Sequence, residues 1–245
     1  MKKLLCVFLL GTSSVFSIEP VTPAAVPSTN ITEIDLKEFA QSPPEVQKLI
    51  RGALQLAIMK LKYLYGSADP ANGGVDCSGT IFYLLKENGL KAIPRDSTGF
   101  YKWIWQNGKF HSVISSNPAS FEFQHLKPGD LLFWIGTYDV KRDPPISHVM
   151  LYLGTHVITK ERLMMGASSS QIYKGAAAKE AVAVTTWNLS KVGQSGARFI
   201  GYGSVPGLVS PVREVKIEES QNPPPITQPT PPAANEEIRA PLDPR

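Results

Sequence analysis

The sequence predicts an α+β protein, with helices packed on one face of an antiparallel sheet. Two observations predict it. Helical three-and-four spacing of apolar residues is confined to the first part of the chain, whereas short alternating apolar runs bounded by turn residues occupy the later part. A third observation sets the limits: prolines crowd residues 18–44 and 206–245, leaving 45–205 as the folded region.

The elements follow in order. Met1-Lys2-Lys3, the apolar run Leu4 to Leu10 and the small and polar residues after it have the three regions of a secretory signal, with cleavage expected after Ser17. The apolar run is far shorter than the ~20 residues that span a bilayer, so export is expected rather than anchoring. Residues 18–44 form a linker, too short and proline-rich for a separate wall-targeting module. Leu49, Ile50, Ala53, Leu54, Ala57, Ile58 and Leu61 then mark an amphipathic helix over about 45–62. A second helix opens at Asp76-Cys77-Ser78-Gly79 and stops at Gly89. Beyond a mixed region with Trp103 and Trp105, Lys127-Pro128-Gly129-Asp130 makes a turn into a strand over 131–134. A loop over 136–146, strands over 147–154, 181–186 and 198–203, and a disordered tail over 206–245 complete the reading. The tail holds ten of the chain's 21 prolines and reads first as a solvated tether, with docking of a protein partner through polyproline II as the alternative.

Composition excludes some classes of function. The net charge of +4 falls to +2 once Lys2 and Lys3 leave, and no basic cluster supports nucleic-acid binding. No spacing of histidines, cysteines or carboxylates suits a metal, and no cofactor is expected. Of the two cysteines, Cys6 lies in the leader, so Cys77 is left as a lone thiol that cannot form an internal disulfide. A buried hydrophobic role is common for such a residue. Its position at a helix N-terminus, however, favours the thiolate, and Gly73-Gly74 and Gly79 are expected to give a substrate backbone access to the sulfur.

A cysteine nucleophile needs an imidazole nearby. The candidates are His111, His125, His148 and His156. His148 begins a strand in which Val149, Leu151 and Leu153 point one way and His148, Met150 and Tyr152 the other, which would hold a ring rigidly. On the residues alone, His148 stands at even odds with a structural histidine.

Five segments in order, Tyr63-Leu64-Tyr65-Gly66-Ser67, Asp76-Cys77-Ser78-Gly79, Ile93-Pro94-Arg95, Leu126-Lys127-Pro128-Gly129-Asp130-Leu131 and His148-Val149-Met150-Leu151-Tyr152-Leu153-Gly154, resemble the motifs of the NlpC family of papain-like cell-wall cysteine peptidases. The resemblance implies a papain-like fold and hydrolysis of the D-γ-glutamyl–diamino acid bond, usually to diaminopimelate, in peptidoglycan stem peptides. It implies Cys77 as nucleophile and His148 as base. It further implies that Tyr63 lines the site, and that Asp76, Ser78 and Arg95 bind the amine and carboxylate ends of the stem. Their ordinary roles would be an N-cap for Asp76, a first-turn residue for Ser78 and a surface ion pair for Arg95.

One departure stands out. The family's third polar residue, which orients the catalytic imidazole from the next strand, falls at Gly166 in Leu163-Met164-Met165-Gly166-Ala167-Ser168. The Gly166 carbonyl, His156, Ser168, Gln171 or a water are the substitutes to consider. A degenerate peptidoglycan-binding protein is one alternative to the peptidase, and an amidase or acyltransferase on the same fold is another. The expectation for the whole chain is a monomeric enzyme exported to the periplasm or cell envelope.

Overall fold

The computed structural model describes residues 31–168, 182–187 and 196–209. The expected signal over 1–17, residues 18–30 of the proline-rich segment that follows, Gln171 and the tail from 210 onward lie outside these residues.

Helix α1 runs from Pro44 to Ile58 and buries Val46, Leu49, Ile50, Ala53, Leu56 and Ala57 along one stripe. Proline at its first position costs no hydrogen bond there. The helix stops short of the expected residue 62, since Lys60 has a positive φ of 57°. Lys62–Tyr63 (β1) and Gly74–Val75 (β2) instead pair in parallel as a two-stranded ribbon. Helix α2 spans Cys77–Glu87, and α3 spans Ser97–Gln106. The sequence reading missed α3, because its apolar stripe is interrupted by Tyr101, Trp103 and Trp105, only partly covered by neighbours. Its start signal is ordinary, with Asp96 accepting from the Gly99 N–H at 3.0 Å.

The main sheet has six strands: β3 (Phe110–Ser112), β4 (Asp130–Ile135), β5 (Ile146–Thr155), β6 (Arg162–Ala167), β7 (Val182–Thr186) and β8 (Arg198–Ser204). Their order is β3-β8-β4-β5-β6-β7, and every pairing is antiparallel. The α+β class read from the sequence holds.

Alternation along β5 divides the core. Val149, Leu151 and Leu153 join the cluster beneath α1 and α2, while Met150 and Tyr152 join a second cluster with Leu132, Trp134, Phe123, Trp187 and Phe199. The segment through the short 3₁₀ helix Phe121–Phe123 covers that second face, fixed by the Tyr202 hydroxyl donating to the Glu122 carbonyl at 2.9 Å. The sheet is therefore buried on both faces, which is why β5 is buried from Ile146 through Gly154.

The folded region extends beyond the expected 45–205. Ile31, Leu36 and Phe39 lie in the core, and the Lys37 N–H donates to the Thr155 carbonyl, so residues 31–44 are packed and not a linker. At the other end Leu208 is buried in the same cluster, within what the sequence assigned to the tail. Short apolar residues between prolines carry no periodicity, which is why they looked like connecting chain.

Candidate active site

Cys77 is the first residue of α2, preceded by Asp76 in extended conformation as the N-cap. The glycines around it act differently from the sequence expectation. A Cβ at Gly79 would collide with the Ser67 carbonyl oxygen, and one at Gly74 with the Lys62 carbonyl oxygen. Both therefore permit close packing of α2 and β2 against the 62–68 segment, with no opening toward a ligand.

Asp76 binds the pieces together. Its carboxylate accepts from the Gly79 N–H at 2.6 Å, the Gly66 N–H at 2.8 Å and the Ser78 hydroxyl at 3.1 Å. Arg95 adds a two-pronged contact, Nη1 to Oδ1 at 3.2 Å and Nη2 to Oδ2 at 3.1 Å, and Nη1 also donates to the Ser78 hydroxyl at 3.0 Å. The cap and the ion pair are thus one network that joins Asp76, Ser78 and Arg95, and it fills the ordinary roles of cap and ion pair considered for Asp76 and Arg95. Forked geometry of this kind suits arginine and not lysine.

A cleft of about 220 Å³ opens over this network, lined by Tyr63, Cys77, Ser78, Arg95, Tyr138 and Arg142. Tyr63 lies near enough to Cys77 and Asp76 that, after burial, their negative charge raises its hydroxyl pKa further. The far wall was not legible in the sequence. Tyr138 and Arg142 come from the loop between β4 and β5, where Arg142 pairs with Asp96 at 3.2 Å and donates to the Tyr138 hydroxyl at 3.3 Å. Nothing in a proline-containing loop marks those two side chains in advance.

Burial governs the thiol. It pushes Cys77 up to about 11, and Asp76 adds to the rise, while the N–H groups of Val149, Ser78 and Cys77 oppose it. The depressed pKa expected from the helix N-terminus is overturned: desolvation outweighs the helix end. The Val149 N–H also ties the sulfur to β5, one residue from His148.

His148 is buried and stands across from Trp134, with ring centroids 5.7 Å apart. Burial alone pulls its pKa down to about 4. Its Nε2 has no hydrogen-bond partner, and among the described residues no hydrogen bond joins its ring to Cys77. Both groups are therefore neutral near pH 7.

The remaining candidates separate clearly. His156 lies eight residues along from His148, about 26 Å at the rise of a strand, and its Nδ1 accepts from the Ile158 and Thr159 N–H groups in a turn. It cannot orient His148. His111 and His125 stack on one another with centroids 5.1 Å apart, and His111 stacks on Tyr202, beside a different pocket that includes Lys109 and Asp130. Gly166 faces Met150, whose Cγ and Cε would lie 3.3 Å from a Cβ built there. Methionine fills the space a side chain at 166 would use.

A search of curated protein sequences returned no match. Among solved structures, a lipoprotein-like protein of the NLP/P60 family from Staphylococcus aureus aligns at 21% identity and a TM-score of 0.44, covering 67% of this chain and 42% of that one. This chain therefore spans less than half the length of that relative. The model of the NlpC/P60 family matches residues 60–186, from the β1 ribbon that carries Tyr63, through the Cys77 helix and the His148 strand, to the end of β7. That match covers more than half of the 245 residues, and the chain belongs to the NlpC/P60 family, whose function is of the cell-wall peptidase type.

Proposed function

We propose that this protein hydrolyses the D-γ-glutamyl–diamino acid bond of peptidoglycan stem peptides, with Cys77 as nucleophile and His148 as base. The observation that carries this reading is the lone thiol in the first turn of α2, held against the His148 strand through Val149 and opening on a cleft that presents both a carboxylate and a guanidinium. A stem peptide carries an amine and a carboxylate near the scissile bond, and the Asp76–Ser78–Arg95 network offers a partner for each.

The chemistry follows from the protonation states. With thiol and imidazole both neutral, sulfur attacks the carbonyl carbon as its proton passes to the ring, so no ion pair stands ready in the free protein. The Cys77 and Ser78 N–H groups, unpaired in the first helical turn, face the developing oxyanion. The imidazolium then protonates the departing amine as the C–N bond breaks, leaving a thioester. Water, giving its proton to the ring, attacks that thioester and restores the thiol while releasing the glutamyl carboxylate.

Residues 1–17 support export, which would place the enzyme in the periplasm or cell envelope, where these stems are found. A second reading, stem binding without cleavage, draws on the unpartnered Nε2 of His148. Mass spectrometry of a diaminopimelate-containing tripeptide incubated with the protein decides between them. A free diamino acid product that disappears in Cys77→Ala supports hydrolysis. A peptide that binds and stays whole supports the second reading.

A further inference from the structure

Two buried polar atoms without partners lie on the same face of neighbouring strands. Nε2 of His148 is one, and the hydroxyl of Ser168 is the other. His148 is 7% exposed and Ser168 is 1% exposed, so neither depends on bulk solvent for a partner. The antiparallel register that sets Leu151 opposite Met165 and Tyr152 opposite Met164 brings His148 opposite Ser168 when continued along both strands. The contact between Gly166 and Met150 checks that continuation partway, since a Cβ at 166 would sit 3.7 Å from the Met150 Cα. Directly opposed residues of such a pair carry Cβ atoms about 4.5–5.5 Å apart. A hydroxyl and a ring nitrogen so placed meet after a small side-chain rotation or through one water. Leaving both unmet would cost roughly 1–3 kcal/mol for each group.

We infer that Ser168 is the positioning residue for His148, accepting the Nε2–H of its ring, and that it takes the orienting role Gly166 cannot fill. This rests on the reading of His148 as the base. With the proton held on Nε2, the lone pair is left on Nδ1, which then serves as the acceptor for the Cys77 proton. The inference accounts for both halves of the departure at 166: Met150 occupies the space beside the glycine, and the orienting group moves two residues along the same strand face.

The test uses the full chain, Ser168→Ala and Ser168→Thr, with turnover of the stem tripeptide and two-bond ¹H–¹⁵N spectra of the histidine rings. In Ser168→Ala, kcat should fall on the order of tenfold to a hundredfold at nearly unchanged KM, less than the ~10⁴-fold loss when a charged orienting group is replaced. The His148 signals should change from a single Nε2–H tautomer to a mixture. Ser168→Thr, which keeps the hydroxyl, should restore both. An unchanged ring spectrum in Ser168→Ala would overturn the inference whatever happens to the rate, because a loss of activity without a tautomer change is merely structural. If the wild type cuts nothing yet its tautomer still depends on Ser168, the positioning stands and the hydrolytic reading fails.

Discussion

The two elements that carry Cys77 and His148 are built by opposite rules. On the helical side, Asp76 gathers donors from Gly66, Gly79, Ser78 and Arg95, so Cys77 follows a carboxylate whose oxygens are well satisfied. On the sheet side, His148 lies among apolar and aromatic neighbours with a nitrogen unmet. The first arrangement fixes position through polar contacts, and the second keeps an imidazole neutral by withholding them. Together they keep both groups neutral near pH 7, since burial raises the thiol and lowers the ring.

The largest effect should come from removing the chemistry itself. His148→Ala should lower kcat/KM for the stem tripeptide at least 10³-fold, as expected when a general base is lost from a Cys–His pair. Steady-state kinetics checks this, and a loss under tenfold would show that the sheet side is not needed. Next comes Asp76→Ala, which strips the helix cap and strands Arg95. Urea denaturation should show a loss of about 2 kcal/mol, chiefly from the lost cap, since Arg95 is 37% exposed and solvent screens its pair.

A third prediction sets His148 against another buried group. Asp130, which accepts from the Lys127 N–H and the Ser204 hydroxyl, is pushed up to about 6 by burial. Its contribution to stability is present below its ordinary 3.8 and is lost as pH rises through about 6. His148 works in the other direction: its contribution is present above the ordinary 6.5 and is lost as pH falls toward about 4. Each is worth about 3 kcal/mol, and they nearly cancel between pH 4 and 6.5. Asp130→Asn should therefore leave a stability that climbs with pH across this window, and His148→Ala one that falls, both read by denaturation at pH 4.5 and 6.5.

Smaller effects test the thiol and the guanidinium. Iodoacetamide should label Cys77 about 20-fold more slowly than free cysteine at pH 8, once the scarcity of thiolate is set against its greater nucleophilicity. The rate should keep rising toward pH 11. Labelling as fast as free cysteine would mean that burial does not control the sulfur. Finally, Arg95→Lys keeps the charge but loses the fork, and should cost about 1 kcal/mol of stability together with a modest rise in KM.

What the sequence revealed follows the same division. The helical side was readable because it is local: Asp76, Cys77 and Ser78 are consecutive, and a cap, a first-turn thiol and a first-turn hydroxyl can be assigned from one tetrapeptide. The alternation of Val149 and Leu151 against His148 and Met150 was also readable, since a period of two needs only the strand. The electrostatics were not. A helix N-terminus suggests a lowered thiol pKa, but the desolvation that raises it is a property of packing. The filling of the space beside Gly166 by Met150 depends on strand register, and the wall made by Tyr138 and Arg142 depends on how a loop folds back onto Asp96. Residues 31–44 misled for a related reason: Leu36 and Phe39 are buried by long-range contacts that leave no periodic trace.

The central claim is that Cys77 carries the peptide during turnover. Intact-protein mass spectrometry of an acid-quenched reaction with the stem tripeptide tests it most directly. The account predicts an L-alanyl-γ-D-glutamyl adduct, mapped by digestion to the Cys77 peptide and missing from Cys77→Ala. Product formation by the Cys77→Ala protein at the wild-type rate, with no adduct on either, would contradict it.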